Sequence, residues 1–528
     1  MKVLNGIVFI FLIFSQVTIL SQNCYEDLKV VPQDREANDS FGASVAVGEN
    51  YAVVGAPFHD KDELGGVIKL GAGAAYIYQK FMGNWVFLQK IVASDRTQSD
   101  GFGWSVDIDR DRIVIGAWAA DTLEGSSGGP GAVYIFKKNT SNVWIEEQKI
   151  ISSDLELGDH FGASVQISNG VIAVGAYLEE HDALGGNQLS NCGSAYIFTQ
   201  SSTGSWTQLQ KITASDRTIG DFFSLSMSLH NDVLVCGSDR RNSKAGVAYI
   251  FEKNQFGAWI ETGKISSSDN GPNQYFGKSV SVDSALIVVS APSIRFILDQ
   301  STGRSRYGAC YIFEKNSSNQ WIETERLVTL DTIVNTGFAS NVAVSFPYIM
   351  INSFSTTSFC GSDTVRFSGE ALIYRKNNGS PSTVEKKFVA SDRFTYNDFG
   401  SGIAFHNKNI FVGVKDNNTD ATGGNNKSRA GAAYFFTLPV NNASLSEESK
   451  VFNIKIFPNP TNGSFMLNLD KKLNLNRIYM TDLNGRLIKE ITPQNVAQYE
   501  ISFKESSGVY LLNVVSENES KTIKIIKE

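Results

Sequence analysis

The sequence predicts an all-β chain: a seven-bladed β-propeller closed by its N-terminal strand, followed by a small antiparallel β-sandwich. Three observations carry this expectation. A unit of about 60 residues recurs seven times, each unit reads as four short strands, and the strand missing from the last unit stands at the N-terminus.

The repeat is anchored on phenylalanine. Phe41, Phe102, Phe161, Phe223, Phe276, Phe338 and Phe399 follow one another at intervals of 61, 59, 62, 53, 62 and 61 residues. Seven residues before each stands an aspartate: Asp34, Asp95, Asp154, Asp216, Asp269, Asp331 and Asp392. Downstream, each unit places a tyrosine in an apolar run, at Tyr76, Tyr134, Tyr196, Tyr249, Tyr311, Tyr374 and Tyr434. In the second unit the four runs are FGWSVDI, IVIGAW, AVYIFKK and WIEEQKII, rich in β-branched and aromatic residues and divided by Gly, Asn, Asp and Ser. The first hairpin is tight, as at Ile167-Ser168-Asn169-Gly170-Val171, where Asn-Gly suits a primed two-residue turn.

Closure follows from the fourth strand. It opens on Trp85, Trp144, Trp206, Trp259 and Trp321, with a degenerate copy near Val384 and none after Tyr434. CYEDLKVVPQDR, residues 24–35, aligns without a gap onto WVFLQKIVASDR, residues 85–96, so the N-terminus is expected to supply the outer strand of the seventh blade. The tetrapeptide Ala-Ser-Asp-Arg, written at 93–96, 214–217 and 390–393, then marks the crossing from one blade to the next. A short carboxylate there is expected to accept backbone N–H groups and hold the turn. Seven copies point to geometry rather than to seven ligand carboxylates, and the seven phenylalanines are core by the same reasoning.

Residues 1–21 read as a secretory signal peptide, with Lys2 ahead of an apolar run from Ile7 to Leu20 that is too short to span a bilayer. The propeller occupies 22–437, 438–450 read as a polar linker, and 451–528 form the second module. A net charge of −7 without a basic run excludes the phosphate neutralisation on which nucleic-acid binding depends. The five cysteines are scattered and form no CxxC pair, which excludes a disulfide framework or zinc site and leaves one isolated bridge open.

Phe-Gly followed by Val-Gly-Ala-Pro, as at Phe41-Gly42 and Val54-Gly55-Ala56-Pro57, resembles the FG-GAP repeat of the integrin α-subunit propeller. Phe102-Gly103, Phe161-Gly162, Phe276-Gly277 and Phe399-Gly400 keep the pattern, while Phe223-Ser224 and Phe338-Ala339 drift from it. Repeats of that family often carry a calcium loop between the first two strands, and here that connection is a tight hairpin. Asp107, Asp109 and Asp111 alternate on an extended strand and cannot wrap an ion that wants six to eight oxygens. Asp416, Asn418 and Asp420 stand in a longer loop and are the weak candidates for calcium; no cofactor is otherwise expected.

The second module resembles the C-terminal sorting domain of proteins exported by the type IX secretion system of Bacteroidota. The matching residues are Pro458, Asn459, Pro460 and Gly463, then Asp482, Gly485 and Arg486, then Gly508, Tyr510 and Leu512 ahead of a lysine-rich end. The resemblance implies handling by that machinery, a secreted or outer-cell-surface location and no transmembrane segment. The expected function is non-catalytic binding or adhesion to an extracellular glycan or protein through the variable loops between second and third strands. The alternatives are a passive surface scaffold and a glycan hydrolase or lyase using loop carboxylates such as Asp60, Asp62, Glu63, Glu179, Glu180 and Asp182. Deleting 451–528 in a host that has the export system should retain the propeller inside the cell, as fractionation and immunoblotting of cells and medium would read out.

Overall fold

The computed structural model describes residues 24–527, apart from 122–128, 300–303, 329–336, 439–453, 470–474, 483–486, 517–519 and a few single positions. The signal peptide, Asp331, Gly485, Arg486 and nearly all of the linker thus lie outside the described residues. Two compact units divide between Pro439 and Val440.

The first unit consists of seven four-stranded antiparallel sheets. The first blade runs outward through Ser44–Val47, Tyr51–Ala56, Ala74–Phe81 and Asn84–Ile91. The next five blades span 102–150, 164–212, 226–265, 280–328 and 338–388. The seventh is built from Gly402–His406, Asn409–Val414 and Ala432–Thr437, with Leu28–Val30 from the N-terminus as its outer strand. Lys29 lies opposite Tyr434, in the register that the ungapped alignment predicts. Asn169 and Gly170 both take positive φ, as a primed hairpin demands.

Alternating apolar residues give each sheet two buried faces, so a core fills every seam between neighbouring blades. Between the first and second blades it contains Val53, Ile77, Phe102, Ile115 and Trp144. The seam that joins the seventh blade to the first is filled in the same way, by Phe41, Val54, Trp85, Phe411 and Phe435, with the Trp85 and Phe435 rings stacked at 4.8 Å. All seven anchoring phenylalanines are buried.

Two positions correct the sequence reading of the sixth blade. Leu372 pairs with Ile351 and Lys387, the place that Tyr76 holds between Val54 and Lys90 in the first blade. Tyr374 therefore occupies the position of Tyr78, two residues further on, and the sixth blade lacks the repeated tyrosine. Ser382 rather than Val384 stands in the tryptophan position: its N–H donates to Glu325, as the N–H of Trp144 donates to Gln89.

Cys24 is bridged to Cys360, with Cα atoms 6.0 Å apart. Cys360 lies in the small hairpin Ser358–Cys360 and Asp363–Val365 of the sixth blade. The bridge ties the strand that closes the ring to its neighbour.

The second unit holds a three-stranded sheet, Ile454–Phe457, Ser464–Leu469 and Gln498–Ser502, and a four-stranded one spanning 475–527. Phe465, Leu467, Ile501, Leu512 and Ile525 pack between them. Gly463, at φ +108°, leaves no room for a Cβ, which would lie 2.8 Å from the Phe503 carbonyl. Asn459 Oδ1 accepts the Ile526 N–H at 2.8 Å and Tyr510 Oη donates to Ser506 O at 2.7 Å.

A Cys24→Ser/Cys360→Ser variant should lose about 2–5 kcal/mol, the usual range for removal of a native bridge. Its thermal unfolding should no longer respond to reductant, whereas that of the oxidised wild type should shift downward.

Candidate binding face

Each described aspartate of the blade-crossing turn has both oxygens taken by side chains. Tyr134 Oη and Lys149 Nζ each donate to Asp95 at 2.7 Å. The same arrangement joins Asp34 to Tyr76 and Lys90, Asp154 to Tyr196 and Lys211, Asp216 to Tyr249 and Lys264, and Asp269 to Tyr311 and Arg326. In the closing blade Asp392 receives Tyr434 at 2.7 Å and the N-terminal Lys29 at 2.6 Å. The expectation of backbone N–H partners is therefore corrected. That task falls to a second series: Asp39, Asp100, Asp159 and Asp221 accept the N–H three residues earlier, from Glu36, Thr97, Glu156 and Thr218.

The rest of the tetrapeptide is also engaged. Ser94 donates through N and Oγ to Glu146 of the next outer strand, at 3.0 and 2.8 Å. Arg96 reaches the carbonyls of Val67 and Asp60 at 2.9 and 2.6 Å, and Arg217 those of Asn187 and Glu180. Each arginine thus fastens the loop of the blade behind it. The loops that look most variable in sequence share a turn, Asp-x-x-Gly-Gly. Asp62 accepts the N–H groups of Leu64, Gly66 and Val67, Asp182 those of Leu184 and Gly186, and Asp420 those of Thr422 and Gly424.

Asp60, Glu179 and Glu180 are likewise bonded within the scaffold, whereas exposed Glu63 has no such bond among the described residues. Asp60 accepts the Gly71 N–H, and buried Glu179 accepts Ser194 Oγ and lies 2.9 Å from Lys211 Nζ. Glu180 receives the Gln188 amide at 2.7 Å. Asp416, Asn418 and Asp420 are not brought together as ligands. Arg429 takes Asp416 through its guanidinium and Asn418 Oδ1 through its backbone N–H, both at 2.7 Å, while Asp420 serves its own turn.

Along the channel, polar residues of each inner strand reach the next blade. Asp107 and Asp109 accept the N–H groups of Ile167 and Asn169 at 2.7 and 2.8 Å, and Asp283 that of Phe346 at 2.7 Å. At the hairpin end the channel opens into a polar bowl of about 880 Å³ lined by Asn50, Asp109, Arg110, His230, Asp283 and His406 among others. Asp107 touches the lumen yet lies deep in the ring, and desolvation pushes its pKa up to about 7 against the lowering effect of its two backbone bonds. Burial does the same to Asp159, also to about 7.

The opposite face, which carries the long loops, bears a row of rings. Phe58 lies 6.3 Å from Trp104, Trp104 5.2 Å from Trp118, Trp118 4.5 Å from His160, His160 5.3 Å from Tyr177, and Tyr177 5.7 Å from Phe222, centroid to centroid. His160 Nδ1 and Tyr177 Oη are hydrogen-bonded at 3.0 Å. The Arg240 guanidinium lies 4.7 Å over Phe222, and Lys244 lies 5.7 Å over the next ring, Tyr275. The row begins on the first blade and reaches the fourth. Reading the motif for what it keeps missed these residues, because they stand where it varies: beside Phe-Gly, or in the place of Pro57.

Five segments, 25–78, 85–136, 144–198, 206–251 and 259–313, match the FG-GAP repeat, and 455–528 match the secretion system C-terminal sorting domain. The chain is an FG-GAP repeat protein with a C-terminal sorting domain. Each matched segment begins at or near an outer strand and ends in a third strand, so the FG-GAP sequence unit straddles two blades. The sorting domain marks the protein as exported by the type IX system, secreted and cell-surface. Among the described residues no helix is long and apolar enough to cross a membrane. A crystal structure of a protein from Lactobacillus plantarum is similar at 10% identity and a TM-score of 0.40, over 67% of this chain and 86% of that one. The comparison with curated proteins returned no match.

The crossing-turn aspartates and two buried ones, Asp107 and Asp159, act on stability in opposite directions with pH. Hydrogen bonds from His59 and Lys90 at Asp34, and from lysine, arginine and tyrosine at Asp95, Asp216, Asp269 and Asp392, outweigh burial and depress these carboxyls, so their stabilisation is lost as pH falls below about 4. Asp107 and Asp159 are raised, so between about pH 4 and 7 the native chain holds protons that the unfolded chain has released, and stability falls as pH rises across that range. The melting temperature should therefore be highest near pH 4 and decline towards pH 7, and Asp107→Asn should flatten that decline. An unchanged slope in that variant would remove Asp107 from the account.

Proposed function

We propose that the protein is a non-catalytic recognition module, displayed outside the cell and binding an extracellular glycan or protein through the loop face of its propeller. One observation carries this reading: the loops are fastened to the ring by Arg35, Arg96 and Arg217, and their carboxylates are engaged in holding them. A rigid display of loops with its acids committed to architecture suits binding, where pre-organisation saves ordering entropy.

A glycan hydrolase or lyase is the second reading, and the pair Asp398 and Asp416 is the observation in its favour. Burial and the neighbouring Asp416 raise Asp398. Arg429 occupies Asp416 at 2.7 Å. This pairing speaks against catalysis there.

The purified mature chain should bind saturably to members of a glycan and matrix-protein array and leave every bound polysaccharide uncleaved. Turnover that disappears in Asp398→Asn would replace this reading with the enzymatic one. Binding that survives EDTA is expected, because Arg429 and the loop turn already take the acids of the 416–420 loop.

A further inference from the structure

Resting on that reading, we infer that the row of rings from Phe58 to Phe222 is a stacking platform for an acidic polysaccharide, with Arg240 and Lys244 as its anion contacts.

The fold does not require these rings. Trp104 follows Phe-Gly at a position held by Ala43 and Ala163 in adjacent blades. Trp118 and Tyr177 take the place of Pro57 and Pro292, and His160 and Phe222 that of Ser40 and Gly101. Those blades close the same seams with small residues, so the large rings answer to something other than packing. Phe58 is 43% and Trp104 41% exposed, and they lie in contact rather than scattered, which singles out the patch.

The chemistry of the row narrows the occupant. Contact passes from ring to ring without an aliphatic side chain between them. Aromatic faces are electron-rich and attract the polarised C–H groups on the apolar face of a sugar. Centroid steps of 4.5–6.3 Å approximate the width of one pyranose. Successive rings are turned by 51–81°, which suits a twisting chain better than the flat side of a helix or strand.

Charge then selects the kind of sugar. Arg240 and Lys244 form no ion pair among the described residues, although the chain carries a net −7. Each is held over a ring, Phe222 and Tyr275 respectively, with its charge left for a ligand. A run of rings that leads to two cations without a salt-bridge partner among the described residues matches a polymer with both pyranose faces and carboxylate or sulfate groups.

The test is affinity electrophoresis of the full mature chain in gels containing alginate, a soluble polyuronate, beside gels containing dextran as the neutral control, with tryptophan fluorescence read in solution. Alginate should retard the wild type and shift its fluorescence, and dextran should do so far less. Trp104→Ala should weaken alginate binding by about tenfold, the scale of one lost stacking contact. Phe58→Ser, at an exposed position, checks the same row should the tryptophan variant fail to fold. Arg240→Gln should reduce the preference for alginate over dextran while retaining residual stacking. Absence of alginate binding, or binding indifferent to both ring variants, overturns the inference. A protein ligand captured on the array by a chain that ignores alginate would leave the recognition reading standing and this inference refuted.

Discussion

At each seam of the ring, one blade's Phe-Gly turn lies against the second strand of the blade before it, backbone to backbone. The carbonyl of Gly103 lies 2.0 Å from where a Cβ on Gly55 would stand, and a Cβ on Gly103, at φ +91°, would lie 2.5 Å from Ala74 O. No side chain fits between them, which is why both glycines belong to the motif. Ser44 then donates its hydroxyl to the Gly103 carbonyl at 2.7 Å, and Ser105 and Ser164 repeat the bond to Gly162 and Ser224. The same approach brings the inner strands near enough for Asp107 and Asp109 to cap the amides of the next blade. Where glycine is lost, its replacement takes over the contact: Asn352, in the place of Gly55, donates to the Phe399 carbonyl at 2.5 Å.

Seams set the spacing, and units of aspartate, tyrosine and lysine or arginine fasten six of the seven blades to their own entrances. In the seventh blade this unit performs a second task. Asp392 and Tyr434 come from the end of the ring and Lys29 from its beginning, so the interaction that elsewhere orders one sheet here joins the two ends of the propeller. Burial lowers the pKa of Lys29, and its bond to Asp392 opposes that effect. The disulfide from Cys24 acts on the same strand from the other side, reaching the sixth blade. Closure therefore depends on a three-residue strand held by charge, a covalent bridge and the stacked rings of Trp85 and Phe435.

Features with a fixed period along the chain are legible in the amino-acid sequence itself. The phenylalanines, the first aspartate series and the ungapped N-terminal match are of this kind, and each described member sits at its expected place in the blade. Partners are not legible there, because Asp95 meets Tyr134 and Lys149 across 39 and 54 residues and nothing local couples them. The sixth blade misleads for a related reason. It contains a tyrosine near the right distance, but the bulge that follows the repeated position falls between Ile373 and Tyr374, and this bulge defines the register. The calcium candidates rest on spacing alone, and Arg429, which takes two of the three, lies outside that pattern.

A ring of seven similar blades presents seven similar surfaces, so a specific ligand has to be recognised where the blades differ. The aromatic row occupies blades one to four, the cations Arg240 and Lys244 stand on the fourth, the disulfide hairpin on the sixth, and the neighbouring carboxyls of Asp398 and Asp416 on the seventh. The last two are already engaged within the protein, one covalently and one through Arg429, which holds Asp416. The first two are adjacent on the loop face, and the blades that lack them keep the same four-stranded sheet. Departures from the repeat that cost the scaffold nothing are the positions free to serve recognition, and on this propeller they form one continuous strip.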